Sequence, residues 1–154
     1  MFSFFRKKKE AESTERGPLL SVDIHSHLIP GIDDGARDME ESITLLKAMA
    51  ALGYQRVITT PHIMSDGYRN TPGVILEGLE ALRETAEKEG IDIEIEAAAE
   101  YYLDDGFYEH LHRGDLLTTG AYLLIETSYL VKPLQFDAMI FEISAAGYKP
   151  MLAH

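Results

Sequence analysis

Five short segments of this 154-residue chain each end in a histidine or a glutamate. They are His25-Ser26-His27, Thr59-Thr60-Pro61-His62, Ala97-Ala98-Ala99-Glu100, Leu123-Leu124-Ile125-Glu126 and Met151-Leu152-Ala153-His154. In an extended strand, residues two apart point to one face, so His25 and His27 converge. Imidazole nitrogen is a ligand for Zn, Mn or Fe, and a carboxylate can join two ions. The segment Gly31-Ile32-Asp33-Asp34-Gly35 adds two carboxylates soon after the first pair. A lone strand-end His or Glu is commonly a solvated or capping residue. The signal is that all of the strand ends carry one. The chain has no cysteine, which excludes disulfides, thiolate metal sites and a cysteine nucleophile. The set therefore suits several divalent ions held close together by imidazole and carboxylate.

These residues need elements to position them, and the pattern alternates between short strand-like and longer helix-like segments. Strands are expected at Ser21–His25, Arg56–Thr60, Ile91–Glu96, Tyr122–Glu126 and Lys149–Ala153. Asp38 with Glu41 three residues on predicts a capping box, and Met39, Ile43, Leu46 and Ala50 follow at helical spacing up to Gly53. Thr71-Pro72 opens a second helix with Ile75, Leu76, Leu79, Leu82 and Ala86 as its apolar positions. A short helix over Gly106–His112 and another from Pro133 to Ala146 complete the alternation. Strand–helix–strand repetition implies a parallel sheet covered by helices, either an open doubly wound sheet or a barrel. In both, functional groups collect at the C-terminal strand ends, where the histidines and glutamates fall.

Composition narrows the function. The chain is 45% hydrophobic, enough for a sizeable core, and its formal net charge is -12. That charge argues against nucleic acid as a partner, because phosphate backbones are held by Lys and Arg. Residues 1–17, MFSFFRKKKEAESTERG, read as a disordered basic tail ahead of a domain over 18–154. Their apolar stretch is too short for a signal sequence, and the basic run follows it. Weak contact of Phe2, Phe4 and Phe5 with an anionic membrane surface is the other use of such a tail. No apolar run is long enough to span a bilayer, and the chain reads as cytoplasmic.

The motif His25-Ser26-His27-Leu28-Ile29-Pro30-Gly31-Ile32-Asp33-Asp34-Gly35 resembles the opening motif of the manganese-dependent tyrosine phosphatases of bacterial capsule synthesis. These belong to the polymerase-and-histidinol-phosphatase (PHP) superfamily. Thr60-Pro61-His62, Ala99-Glu100-Tyr101-Tyr102, Leu124-Ile125-Glu126 and Leu152-Ala153-His154 resemble its later motifs, in the same order. The resemblance runs from about Val22 to His154. It implies an α/β fold, a partial distorted TIM-like barrel of about five parallel strands alternating with helices. It also implies a site for up to three divalent ions, Mn2+ first and Fe or Zn as alternatives. The implied ligands are His25, His27, Asp34, His62, Glu100, Glu126 and His154, with Glu100 bridging two ions and Asp34 carried over in preference to Asp33. The implied activity is hydrolysis of phosphotyrosine by a metal-activated water, on a bacterial tyrosine kinase of polysaccharide export. The alternatives are another phosphoesterase of the superfamily acting on a small monoester such as histidinol phosphate, or an inactive metal-binding fragment. The resemblance further implies a domain that continues past His154 with an Arg, more strands and a late Asp-x-His motif. Five strands do not close a barrel, so the fifth is expected to be an exposed edge that invites self-association.

Other residues have plainer readings. His110 and His112 fall in a predicted helix, where residues two apart diverge, and read as surface histidines. Tyr101, Tyr102 and Tyr108 are candidates for lining an aromatic pocket, with packing the commoner use. The loops Ser65–Asn70 and Ser128–Pro133 follow candidate ligands directly and are candidate substrate loops. Arg37 reads as the partner of a helix-terminal salt bridge.

Overall fold

The structure, a computed structural model, describes residues 20–154; the expected basic tail lies outside the described residues. Strand β1 (Val22–Ser26) leads to helix α1 (Met39–Leu52), and strands β2 (Arg56–Thr59) and β3 (His62–Ile63) lead to helix α2 (Pro72–Lys88). Strands β4 (Glu94–Ala97) and β5 (Glu100–Tyr102) precede helix α3 (Phe107–Arg113). Strand β6 (Tyr122–Glu126), helix α4 (Phe136–Ala145) and strand β7 (Lys149–Leu152) complete the order.

Every strand pair is parallel. Pairing gives two sheets, β1-β2-β4 and β3-β5-β6-β7. Two of the five expected strands are each followed by a short second segment that the alternation did not predict, β3 after Thr60-Pro61 and β5 after Ala98-Ala99. Proline has no N–H to donate to a ladder. Hydrogen bonds from Ala98 N to Thr59 O (2.9 Å) and from Glu100 N to Pro61 O (3.0 Å) carry the pairing across both gaps. The result is one layer with five strand positions, as the alternation predicts. It is open, with β1 and β7 at its edges, and closure into a barrel is not seen among the described residues.

The local signals explain most boundaries. Asp38 accepts from Glu41 N at the start of α1, and Gly53 ends the helix at φ 94°. The capping box is only half formed, because the Glu41 carboxylate accepts from Arg37 N and its guanidinium instead of from Asp38 N. Arg37 is thus the salt-bridge partner expected of it. In α2 the Thr71 side chain caps Val74 N and Pro72 occupies the first turn. Ile75, Leu79, Leu82 and Ala86 are buried, whereas Leu76 lies to the side of this stripe, 45% exposed. Strand β4 starts at Glu94, later than the alternation from Ile91 implies. The Ile91 N–H closes the end of α2 on Ala86 O (3.0 Å), so the first of those residues belong to the helix exit.

The two faces of the strands differ. Val57, Ile95, Leu123 and Ile125 are buried in the core with Leu46, Ile75, Leu82 and Ile143 of the helices. On alternate positions, Arg56 pairs with Glu94 and Glu96. Covering an apolar face with helices leaves the polar one for chemistry. At the β7 side, Leu130, Val131, Leu134, Phe141 and Leu152 stay exposed, as do Leu20, Val22 and Ile24 at the β1 side. No helix among the described residues is long and apolar enough to cross a membrane.

Candidate metal centre

The C-terminal strand ends meet at one carboxylate. Glu100, the first residue of β5, is wholly buried. Its oxygens lie 3.4 Å from His27 Nε2, 3.4 Å from His62 Nδ1, 3.5 Å from His154 Nε2 and 3.8 Å from His25 Nε2. None of these approaches has hydrogen-bond geometry, and both Glu100 oxygens and His62 Nδ1 are buried without a hydrogen-bond partner among the described residues. A buried carboxylate without hydrogen bonds is costly, and such groups are normally hydrogen-bonded, paired or bound to metal. Two donors each about 2.1 Å from one tetrahedral ion sit about 3.4 Å apart, which is the spacing found here. The residues present therefore fit a cation site. Among the described residues, three overlapping groups have donors close enough to share an ion: His25 with Glu100 and His154, His27 with Asp34 and His62, and His62 with Glu100 and Glu126. All seven residues singled out in the sequence are in these groups.

The rings are held from behind. His27 Nδ1 is 2.7 Å from Asp33 Oδ2, and His25 Nδ1 is 2.7 Å from Thr60 Oγ1. A ligand histidine characteristically uses its second nitrogen in this way, which fixes the ring and its tautomer. Asp33 does more. Its Oδ2 also accepts from His62 N (3.1 Å) and its Oδ1 from Gly35 N (3.0 Å), so one buried carboxylate ties the first loop to β3. Asn70 Nδ2 adds bonds to Ile32 O and His62 O. Sequence reasoning placed Asp34 in the site and passed over Asp33. The structure separates their positions: Asp34 is exposed with Oδ1 3.4 Å from His62 Nε2, and Asp33 lies beneath. The readable signal was the Asp-Asp-Gly turn itself, since Asp accepts from the backbone two residues on. Gly35 is required there, because a Cβ would meet the His27 Cβ and carbonyl oxygen at 2.3 Å.

The electrostatics follow from the crowding. Burial works to lower the His27 pKa, but the Asp33 hydrogen bond and the neighbouring Glu100 carboxylate raise it to about 9. Burial, reinforced by the imidazoles of His27 and His154, holds His25 below its ordinary value. Burial favours a raised pKa for Glu100, yet the surrounding imidazoles keep it below the usual carboxylate value. Burial and then the nearby Glu100 push Glu126 up.

A cavity of about 370 Å³ opens onto this cluster, lined by His27, Asp34, His62, Glu126, Tyr129 and His154 among others. The tyrosines expected to line a pocket are not part of it. Tyr101 is buried, and its hydroxyl accepts from Leu117 N. Tyr129, in the loop after β6, was not singled out by name, although its loop was. Of the two helix histidines, His112 is exposed, while His110 is half-buried with Nδ1 3.1 Å from Asp115. Neither belongs to the groups that could share an ion.

Residues 21–154 match the family model for capsular polysaccharide synthesis, CpsB/CapC. The chain belongs to this family. The tyrosine-protein phosphatase YwqE of Bacillus subtilis is 30% identical over 135 residues, covering 86% of this chain and 53% of its own length. The tyrosine-protein phosphatase CpsB of Streptococcus pneumoniae is likewise 30% identical over 135 residues, with 56% of its length covered. A solved chain from crystal structures of these two proteins, described as unique metal-dependent tyrosine phosphatases, superposes with a TM-score of 0.79 at 30% identity. It matches 86% of this chain and 55% of the solved one. The chain thus spans about half the length of the curated relatives it matches. The CpsB/CapC assignment agrees with the family that the opening motif resembles.

Proposed function

We propose that this CpsB/CapC chain carries the metal-binding part of a metal-dependent protein-tyrosine phosphatase. The observation that supports it most is the Glu100 carboxylate, buried, without a hydrogen-bond partner among the described residues and faced by four imidazoles. His25, His27, Asp34, His62, Glu100, Glu126 and His154 would hold up to three divalent ions, with Glu100 shared between two. The donor set is imidazole and carboxylate without thiolate, which suits Mn2+ and leaves Fe and Zn as competitors. Bound ions supply Lewis acidity and lower the pKa of coordinated water toward neutrality.

The chain's own residues do the rest. Asp33 and Thr60 hold the His27 and His25 rings in the orientation that leaves Nε2 facing the centre. The wholly buried position of Glu100 keeps its carboxylate out of water. The uncompensated carboxylates of this acidic protein would repel a phosphate monoester, and bound cations would offset that repulsion. The substrate is phosphotyrosine in a protein, a tyrosine kinase of polysaccharide export being the expected partner, in the cytoplasm. The open edges β1 and β7 with their exposed apolar neighbours favour covering by further chain or by self-association. Hydrolysis of a phosphotyrosine peptide by the purified chain with and without Mn2+ tests the reading. Manganese-dependent release of phosphate from the peptide, exceeding that from histidinol phosphate, supports it. Faster turnover of histidinol phosphate would move the substrate class to small monoesters.

A further inference from the structure

An arc of rings runs through the site. His62 and His27 have centroids 4.7 Å apart, His27 and His25 5.4 Å, and His25 and His154 5.2 Å. A tyrosine stands at each end. Tyr68 stacks on His62 at 5.4 Å and 10°, so one of its faces is used in holding that imidazole. Tyr129 approaches His154 at 5.9 Å and 47° and remains 78% exposed. Tyr129 also lines the cavity that opens onto the cluster; Tyr68 does not. The other named lining groups, His27, Asp34, His62, Glu126 and His154, all carry ionisable side chains. Besides Gly35, Tyr129 is the lining residue without a metal-donor side chain, and its exposure puts its ring where the cavity meets solvent.

We propose that Tyr129 is the residue that selects aryl over alkyl phosphate monoesters at this site, its ring forming the wall against which the leaving aryl group packs. The inference rests on the phosphoesterase reading above and assigns a residue to its preference for phosphotyrosine. An aromatic leaving group gains an offset-stacked or edge contact with the Tyr129 ring, whereas an alkyl group of similar length gains only a small apolar contact. Because the phosphoryl end is held by charge and the aryl end by Tyr129, the two contributions separate experimentally.

The test uses the full 154-residue chain loaded with Mn2+ and two non-hydrolysable probes, phenylphosphonate and methylphosphonate, titrated by calorimetry. The parent chain is expected to bind phenylphosphonate more tightly, by roughly two- to tenfold. Tyr129→Phe keeps that ratio, and Tyr129→Ala brings it to about one while manganese content is retained. The exposure of Tyr129 makes both variants compatible with folding. An undiminished ratio in Tyr129→Ala overturns the inference and leaves the phosphoesterase reading in place. Absence of binding by either probe to the metal-loaded chain overturns the reading and the inference with it.

Discussion

Replacing Glu100 by glutamine preserves volume and removes the charge that four imidazoles face. If that carboxylate is shared between ions, the substitution weakens them together. A ligand present at a hundred times its dissociation constant stabilises the folded state by about 2.7 kcal/mol. For a chain of this size that raises the melting temperature by about 8 °C. A site weakened a hundredfold, at the same metal concentration, retains about 0.4 kcal/mol, or about 1 °C. The assay is thermal unfolding of each variant with chelator and with Mn2+ fixed at about a hundred times the parent's dissociation constant. The readout is the difference within a variant, so that any effect on metal-free stability cancels. The parent and His110→Ala should both show the full rise, since His110 lies outside the ion-sharing groups. Glu100→Gln should show almost none. A rise in Glu100→Gln within about 2 °C of the parent's would refute the reasoning.

Three further outcomes follow from the geometry. Asp33→Ala removes contacts to His27, His62 and Gly35 at once, and manganese affinity measured by titration should fall by about 10- to 100-fold. An unchanged affinity would show that Asp33 does not position the rings. The His27 pKa is raised to about 9 from 6.5, so its stabilising contribution to the metal-free chain is present below about 6.5 and lost as pH rises through about 9. Denaturant midpoints of metal-free chain should therefore decline across that window. Saturating Mn2+ should abolish or reverse the decline, because the deprotonated ring is the ligand; parallel declines would count against His27 as one. Gly35→Ala forces a Cβ onto the His27 backbone at 2.3 Å, so the loop must shift. Both stability and metal affinity should drop, and a neutral result by thermal unfolding would contradict the described loop.

Much of the arrangement was legible because strands and strand ends obey local rules. The spacing of His25 and His27, and the positions of His62, Glu100, Glu126 and His154 after apolar runs, place all of them at one end of a parallel sheet. What was less legible depended on distant partners. The short second segments β3 and β5 reflect which neighbour each segment meets, and only Pro61 betrays one of them. Asp33 and Asp34 are adjacent and chemically identical, so their separation into buried and exposed positions arises from the loop folding back over β3. Glu41 caps Arg37 instead of Asp38 because a guanidinium is within reach, a competition that helix-capping rules do not include. Leu76 faces solvent because the stripe of Ile75, Leu79, Leu82 and Ala86 already fills the helix contact. Tyr129 looked like a loop residue, and only the return of its loop toward His154 gives it a place at the cavity.

The most direct test of the central claim is metal stoichiometry. Chain prepared without chelators, dialysed against Mn2+ and analysed by elemental mass spectrometry should hold two or more ions per molecule. Glu100→Gln treated in the same way should hold fewer. A parent chain that binds no manganese, or that binds as much as Glu100→Gln does, would contradict the assignment of the Glu100 cluster as a shared metal centre.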